Sequence, residues 1–235
     1  MDVIEIIKES LVYPADNFMA LLIYVILGII ATLAVVLTIG GVYVGSQLKN
    51  VLVAGVSGIV GIVVAIIISF LIEGYMLDVL KLAIQRSNDS PKIDFVRQVT
   101  NGLKLFIVDV VYLIIPAIVL IILGAIFAQW LALLIGLIVT IIFGFILVIA
   151  ECRLAYTENL SDALAVGEAY NDLQRVGIMN IIQLTVIFAV IYFVVFLITG
   201  GISQLNAYIG SVLSAIATIY LLFVQKRAVG LLYSQ

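Results

Sequence analysis

Residues 51–72 read VLVAGVSGIVGIVVAIIISFLI, a stretch that contains no charged side chain. An α-helix rises 1.5 Å per residue, so these residues would form a helix about 33 Å long, enough to cross the ~30 Å hydrocarbon core of a bilayer. A helix on the surface of a soluble domain would need a polar face, and this stretch has none. It therefore predicts a transmembrane helix.

Five more long apolar runs occur along the chain, at residues 18–44, 105–127, 130–150, 178–199 and 205–224. The 235 residues are 65% hydrophobic and 11% charged. A soluble domain has about 45–50% apolar and about 25% charged residues, because water must be met by polar groups. The predicted fold class is all-α, a polytopic transmembrane bundle of six helices.

The connections between the runs alternate in length. Short turns join the first run to the second, the third to the fourth and the fifth to the sixth, which predicts three helical hairpins. A short stretch with apolar residues on one helical face precedes each hairpin, at 3–12, 93–103 and 160–173. We expect a single membrane domain, residues 1–235, of three pseudo-repeats at roughly 2–86, 87–157 and 158–235, each with a cytoplasmic amphipathic helix.

The basic residues predict an orientation. Of the eleven Lys and Arg residues, Lys49 lies among the short turns, and the other ten lie on the side of the two termini and the long connections. Basic residues accumulate on the cytoplasmic side of membrane proteins. We expect a multi-pass protein of the cell membrane with its N- and C-termini in the cytoplasm. The first run is too long for a cleaved signal peptide and is expected to be retained.

Composition also excludes several classes of chemistry. The sequence has one cysteine, Cys152, and no histidine, so neither an intramolecular disulfide nor catalysis by an imidazole can occur. A zinc site of the usual kind needs the same residue types. The net charge of −3 argues against nucleic acid as a partner. We predict no metal and no cofactor; the expected partners are membrane lipids, with other membrane proteins left open.

Three acidic residues are the candidates for a functional site. Asp109 lies within the third run, and Glu73 and Glu151 follow the second and fourth runs. Together they could form a polar cluster at the cytoplasmic mouth of the bundle that holds a cation or a lipid headgroup.

The alternative for these acids is a purely structural role. Asp109 is expected about one turn inside its helix, where it could reach water or pair with Lys104 or Lys81. In the same interpretation Glu73 faces interfacial water and Glu151 pairs with Arg153. The sequence favours this alternative.

Small residues predict where helices pack closely, because the association of helices in lipid depends on close contact. They recur on the second run at Gly55, Gly58 and Gly61, and on the sixth at Ser211, Ser214, Ala215 and Thr218. We expect packing seams inside the bundle. A seam between copies of the chain, and so a homo-oligomer, remains open.

Residues 70–117 carry a resemblance to a known family. They contain EGY at 73–75, Pro91 and Asp94 in a polar turn, NGLK at 101–104 and YLIIP at 112–116. This pattern resembles uncharacterised archaeal polytopic membrane proteins, frequent in methanogens and grouped as a domain of unknown function. More distantly, it is similar to the membrane domain of some glycerophosphodiester phosphodiesterases. The resemblance implies a membrane fold and no catalytic residue.

The predicted function is a non-enzymatic one, in membrane scaffolding, assembly or organisation. A small transporter or channel for an ion, a lipid or a small metabolite is the alternative, favoured by the three acids. An enzyme acting on lipid is the least favoured, because it needs paired acids or a metal in a cleft.

Overall fold

A computed structural model describes residues 2–235, whose regular secondary structure is entirely α-helical. The helices of this part of the chain are α1 Val3–Asp16, α2 Phe18–Gln47, α3 Val51–Ile84, α4 Phe95–Ile126, α5 Gln129–Thr157, α6 Leu160–Ala163, α7 Val166–Val176, α8 Ile178–Leu205 and α9 Ala207–Tyr233.

Six helices, α2, α3, α4, α5, α8 and α9, are long and apolar enough to cross a membrane. The six predicted membrane helices are thereby confirmed, and the chain is a multi-pass membrane protein. Asparagine and aspartate side chains mark where several of them begin. Asn50 accepts a hydrogen bond from the Val53 amide, and Asp94 accepts one from the Arg97 amide. Such caps satisfy donors that the first helical turn leaves free.

The most extensive contacts between the long helices are those of α2 with α3, α3 with α4 and α4 with α5, followed by those of α9 with α3 and α8. α3 and α9 hold the assembly together, since α3 touches α4 and α5 while α9 touches α1 and α2. We call the side of the bundle with α1, α6, α7 and the 85–94 loop the charged end. The side with the turns at 48–50, 127–128 and 206 is the bare end.

The buried core lies in the half of the bundle near the charged end. Tyr75, Ile149 and Val224 are completely buried there, on α3, α5 and α9. Towards the bare end most large apolar side chains are exposed: Leu37 is 72% exposed and Phe196 70%. Exposed apolar side chains on a membrane helix face lipid, so most of the buried core is at the charged end and most of the lipid-facing surface is towards the bare end.

The amphipathic stretches differ from the prediction. Residues 95–103 are the first turns of α4 and form no separate helix. The third stretch is divided into α6 and α7 by a break at Leu164 and Ala165. α1 and α7 pack their apolar faces on α9 and α5 respectively. Hydropathy marks where a helix enters or leaves lipid, which need not be where the helix itself begins or ends. For this reason the apolar run starts at Leu105 while α4 starts at Phe95.

Candidate functional site: a buried charged cluster and its ionic cap

Four charged side chains from four helices meet inside the bundle. Lys226 of α9 forms an ion pair with Glu151 of α5, with 2.5 Å between Nζ and Oε2, and both side chains are at least 85% buried. Glu73 of α3 and Asp109 of α4 interact electrostatically with this pair. The structure thus brings the three predicted acids together around a lysine. We call these four residues the charged cluster.

Asp109 lies further from the start of its helix than the sequence indicated. Asp109 is 14 residues from Phe95, the first residue of α4, which is about 21 Å along the helix axis. The expected position, one turn inside the helix, was wrong because the polar residues before Leu105 are themselves helical. One buried oxygen of Asp109, Oδ1, accepts no hydrogen bond from residues 2–235.

The expected partners of the acids also differ. Lys81 binds the carboxylate of Glu158, and Lys104 donates to the Glu158 carbonyl oxygen at 3.2 Å, so neither pairs with Asp109. Glu151 pairs with Lys226 rather than with Arg153. Sequence reasoning missed Lys226 because it stands in the polar segment after the sixth run, and α9 continues through that segment to Tyr233.

Arg227, next to Lys226, ties α9 to the charged end. Its side chain is 1% exposed and donates hydrogen bonds to Glu9 of α1 and to Ser87 and Asn88 of the 85–94 loop. Its guanidinium also lies 4.9 Å from the centre of the Tyr13 ring. A buried arginine needs several acceptors at once, and these come from two separate segments, which are thereby fixed on α9.

Polar contacts between α2, α3 and α4 continue this layer of polar contacts at the charged end, which we call the ionic cap. Arg97 pairs with Asp78 at 3.0 Å, and the hydroxyl of Tyr24 donates to the side-chain oxygen of Gln98 at 2.6 Å. The rings of Tyr24 and Tyr75 stack with their centres 4.1 Å apart. These groups hold the start of α4 against the end of α3, which explains why residues 95–103 continue the membrane helix.

Asp172 of α7 organises the third part of the cap. It accepts hydrogen bonds from Arg153 at 2.8 Å and from the Tyr233 hydroxyl at 2.7 Å, and it lies 3.4 Å from Arg175. Burial alone would raise the pKa of Asp172, but the Tyr233 hydroxyl and the Arg153 guanidinium outweigh it and hold the pKa below its usual value. The Lys81 ammonium likewise lowers the pKa of Glu158.

Several grooves open on the sides of the bundle, and two of them differ in character. One, of about 570 Å³, lies between α5 and α8 with α9 as its floor. Another, of about 270 Å³, lies between α9 and α2 and is lined by the predicted small residues Ser211, Ser214, Ala215 and Thr218 together with Gly28 and Thr32 of α2. The stripe on α9 therefore faces α2 across an open space.

Residues 57–204 match a protein family described as a protein of unknown function, DUF4013. The match covers more than half of the chain. The chain belongs to the DUF4013 family. No curated protein and no solved structure matches it. The DUF4013 match runs from α3 to α8 and so includes Glu73, Asp109 and Glu151 but ends before Lys226 and Arg227.

The predicted packing glycines of this DUF4013 member behave differently from one another. A Cβ on Gly61 would lie 1.5 Å from the Thr38 hydroxyl, so α2 and α3 are in close contact there. A Cβ on Gly58 would make an ordinary contact with Val42 at 3.4 Å, and one on Gly55 would meet nothing within 4 Å. Gly55 is therefore outside the seam, because a spacing of three residues drifts around a helix of 3.6 residues per turn.

No group of three or more Asp, Glu, Cys or His side chains is placed to hold a metal ion in the region from residue 2 to residue 235. The charged cluster has three carboxyl groups and one ammonium group. Side chains of these types can carry charge and exchange protons.

Proposed function

We propose that this protein has a non-enzymatic role in the cell membrane, as a scaffold that organises the lipid around it. The observation that carries this proposal is the contrast between the two ends of the bundle. The buried ion pair of Lys226 and Glu151 joins α9 to α5 near the charged end, while less than a third of each apolar stretch is buried within the protein. Such a shape presents broad apolar flanks to lipid.

The orientation belongs to the same proposal. Ten of the eleven basic residues are on the side of the charged end and Lys49 is at the bare end, which supports cytoplasmic N- and C-termini. The amphipathic stretches give less support than the sequence suggested, because α1 and α7 use their apolar faces for packing. An archaeal source and a distant relationship to the membrane domain of glycerophosphodiester phosphodiesterases rest on the sequence resemblance.

Reconstitution tests the organising role. We expect the purified protein to change lipid order in liposomes in proportion to the protein-to-lipid ratio, as reported by laurdan fluorescence, without releasing an encapsulated solute. The physical reason is that lipid must fit against apolar flanks of fixed geometry. Unaltered lipid order at every ratio would contradict the proposal.

A transporter or channel for an ion, a lipid or a small metabolite is the second candidate. The charged cluster favours it, since ionisable groups inside membrane helices commonly mark transport pathways. It predicts solute or proton flux in the same liposomes that Asp109→Asn and Glu73→Gln abolish. Asp16→Asn is the matched control, because Asp16 is exposed and makes no ion pair within the described chain. Flux that both cluster variants leave intact would count against this candidate.

A further inference from the structure

The groove between α5 and α8 has the dimensions of a binding site for one hydrocarbon chain. The two helices barely contact each other, and α9 closes the back of the space between them. Along α8 the lining extends from Ile181 to Tyr192, which is 11 residues or about 17 Å. This length is close to half of the ~30 Å hydrocarbon core, the depth of one leaflet. The volume of about 570 Å³ also falls within the usual range of ligand sites, about 300–1,000 Å³.

The walls of the groove are apolar, but three side chains add polar groups. The Tyr192 hydroxyl donates to the Gln225 side-chain oxygen at 3.0 Å. Neither the Gln225 amide nitrogen nor the Thr185 hydroxyl, which also line the groove, makes a hydrogen bond to any residue that the structure describes. Polar groups without partners are costly in hydrocarbon, so the groove favours an occupant that carries oxygen acceptors over a plain alkane.

The floor of the groove continues to an arginine at the charged end. Gln225, Val229 and Tyr233 are spaced four residues apart and so lie along one face of α9. The guanidinium of Arg175 sits 4.9 Å from the centre of the Tyr233 ring, and half of the Arg175 side chain is exposed. Its two hydrogen bonds, to Asp172 and to the Tyr233 carbonyl oxygen, are both long at 3.4 Å. Arg175 therefore retains N–H donors for an anion such as a phosphate.

We propose that this groove binds one phospholipid of the charged-end leaflet, with a hydrocarbon chain between α5 and α8 and its phosphate on Arg175. The oxygens near the glycerol group accept a hydrogen bond from the Thr185 hydroxyl, because Thr185 is nearer to the charged end than Tyr192 and Gln225. The site provides a lipid partner for the proposed organising role. The evidence for the site, which is the groove and the position of Arg175, is independent of that role. A lipid held in this way contacts three helices and the cap at once.

Photo-crosslinking in nanodiscs tests the chain site. The discs contain phosphatidylcholine and a small fraction of phosphatidylglycerol with a diazirine in one acyl chain, and labelled peptides are identified by mass spectrometry. We expect labelling concentrated on the groove-lining residues of α5 and α8. Gly144→Leu should lower it about tenfold, as expected for a loss of about 1.4 kcal/mol of binding free energy. A Cβ at Gly144 meets nothing within 4 Å, so a side chain at this position has room to project into the groove.

Gly124→Leu on α4 is the matched control, since a Cβ there also meets nothing within 4 Å, and it should leave the groove labelling unchanged. Ala189→Trp fills the same groove from α8 and should repeat the result of Gly144→Leu. Equal labelling of all the lipid-facing helices, unaffected by Gly144→Leu, would overturn the proposal, because it would show ordinary surrounding lipid only.

The headgroup contact has its own test. If Arg175 binds the phosphate, groove labelling should favour phosphatidylglycerol, whose net charge is negative, over phosphatidylcholine, whose choline cation neutralises its phosphate; the two diazirine lipids are compared in competition. Arg175→Gln should abolish this preference, while Lys92→Gln, at an exposed lysine of the 85–94 loop, should not. A preference that Arg175→Gln leaves intact would overturn the assignment of the phosphate to Arg175. These results are separate from lipid order: labelling of the groove without any change in laurdan fluorescence would contradict the organising role and leave the lipid site standing.

Discussion

At the scale of single residues, the ammonium group of Lys226 offsets the cost of burying the carboxyl groups of the charged cluster. It is the partner of Glu151 and the positive charge that Glu73 and Asp109 also face. Lys226→Met would leave three acids around an apolar side chain. We expect a loss of about 3–5 kcal/mol, as for other broken buried ion pairs, seen as a lower midpoint of thermal unfolding in detergent.

The double variant Lys226→Met with Glu151→Gln provides the control for that experiment. The double variant leaves two carboxyl groups, Glu73 and Asp109, in the cluster instead of three, so part of the lost stability should return. A single variant as stable as the wild type would show that Lys226 does not stabilise the cluster.

The position of Asp172 predicts that the contact between α7 and α5 depends on pH. Its pKa in the folded protein lies below the usual value of about 3.9, so it stabilises the fold at higher pH and this contribution is lost as the pH falls through the lowered pKa. We expect the contact of α7 with α5 to loosen below about pH 4. Cys152 is buried beside this contact, so dithiodipyridine, which reacts with thiols in acid, should label it faster there.

In the Asp172→Asn variant, Cys152 should be labelled quickly even near neutral pH, because Arg153 has lost its ionised acceptor. The labelling rate should then no longer depend on pH. Asp16→Asn is again the control and should follow the wild type. Equal labelling rates at neutral and acid pH in the wild type would refute the prediction.

At the scale of helices, the crossing of α3 and α4 depends on two glycines. A Cβ on Gly102 would lie 2.1 Å from the carbonyl oxygen of Phe70, and one on Gly74 would lie 1.8 Å from that of Gln98. Gly102→Ala must push the helices apart, and overpacking of this kind costs about 1–3 kcal/mol or more. We expect a lower unfolding midpoint in detergent and faster hydrogen exchange in residues 95–104.

Gly124→Ala tests whether any added methyl group on α4 has the same effect. Its Cβ would meet nothing within 4 Å, and alanine favours a helix over glycine by about 1 kcal/mol, so stability should stay constant or rise. Similar destabilisation by both substitutions would show that the close approach of α3 and α4 is not the cause.

At the scale of the whole molecule, the distribution of charge predicts which end faces the cytoplasm. In a Cys152→Ser background, Lys92→Cys should react with a membrane-impermeant maleimide only after cells are permeabilised, and Lys49→Cys should react in intact cells. The reason is that basic residues resist translocation across the membrane. Labelling of Lys92→Cys from outside would reverse the proposed orientation.

Much of the architecture could be predicted because lipid makes simple demands on a sequence. A membrane helix needs about 20 apolar residues, and the run at 51–72 shows this without any knowledge of its neighbours. The gathering of Glu73, Asp109 and Glu151 near one end of the bundle follows from their positions near the ends of the runs. Their partners could not be predicted, since pairing depends on how helices distant in sequence are placed.

What the sequence by itself determined is the membrane character, the six spanning helices and the separation of charge between the two sides of the chain. Each follows from the transfer of local segments between water and lipid, which depends on composition alone. The tertiary structure decided that Lys226 rather than Lys104 or Arg153 faces the acids, that α4 begins at Phe95, and that α5 and α8 leave a groove between them. These features depend on contacts across the bundle, and the hydropathy of a segment is the same whichever helix it meets.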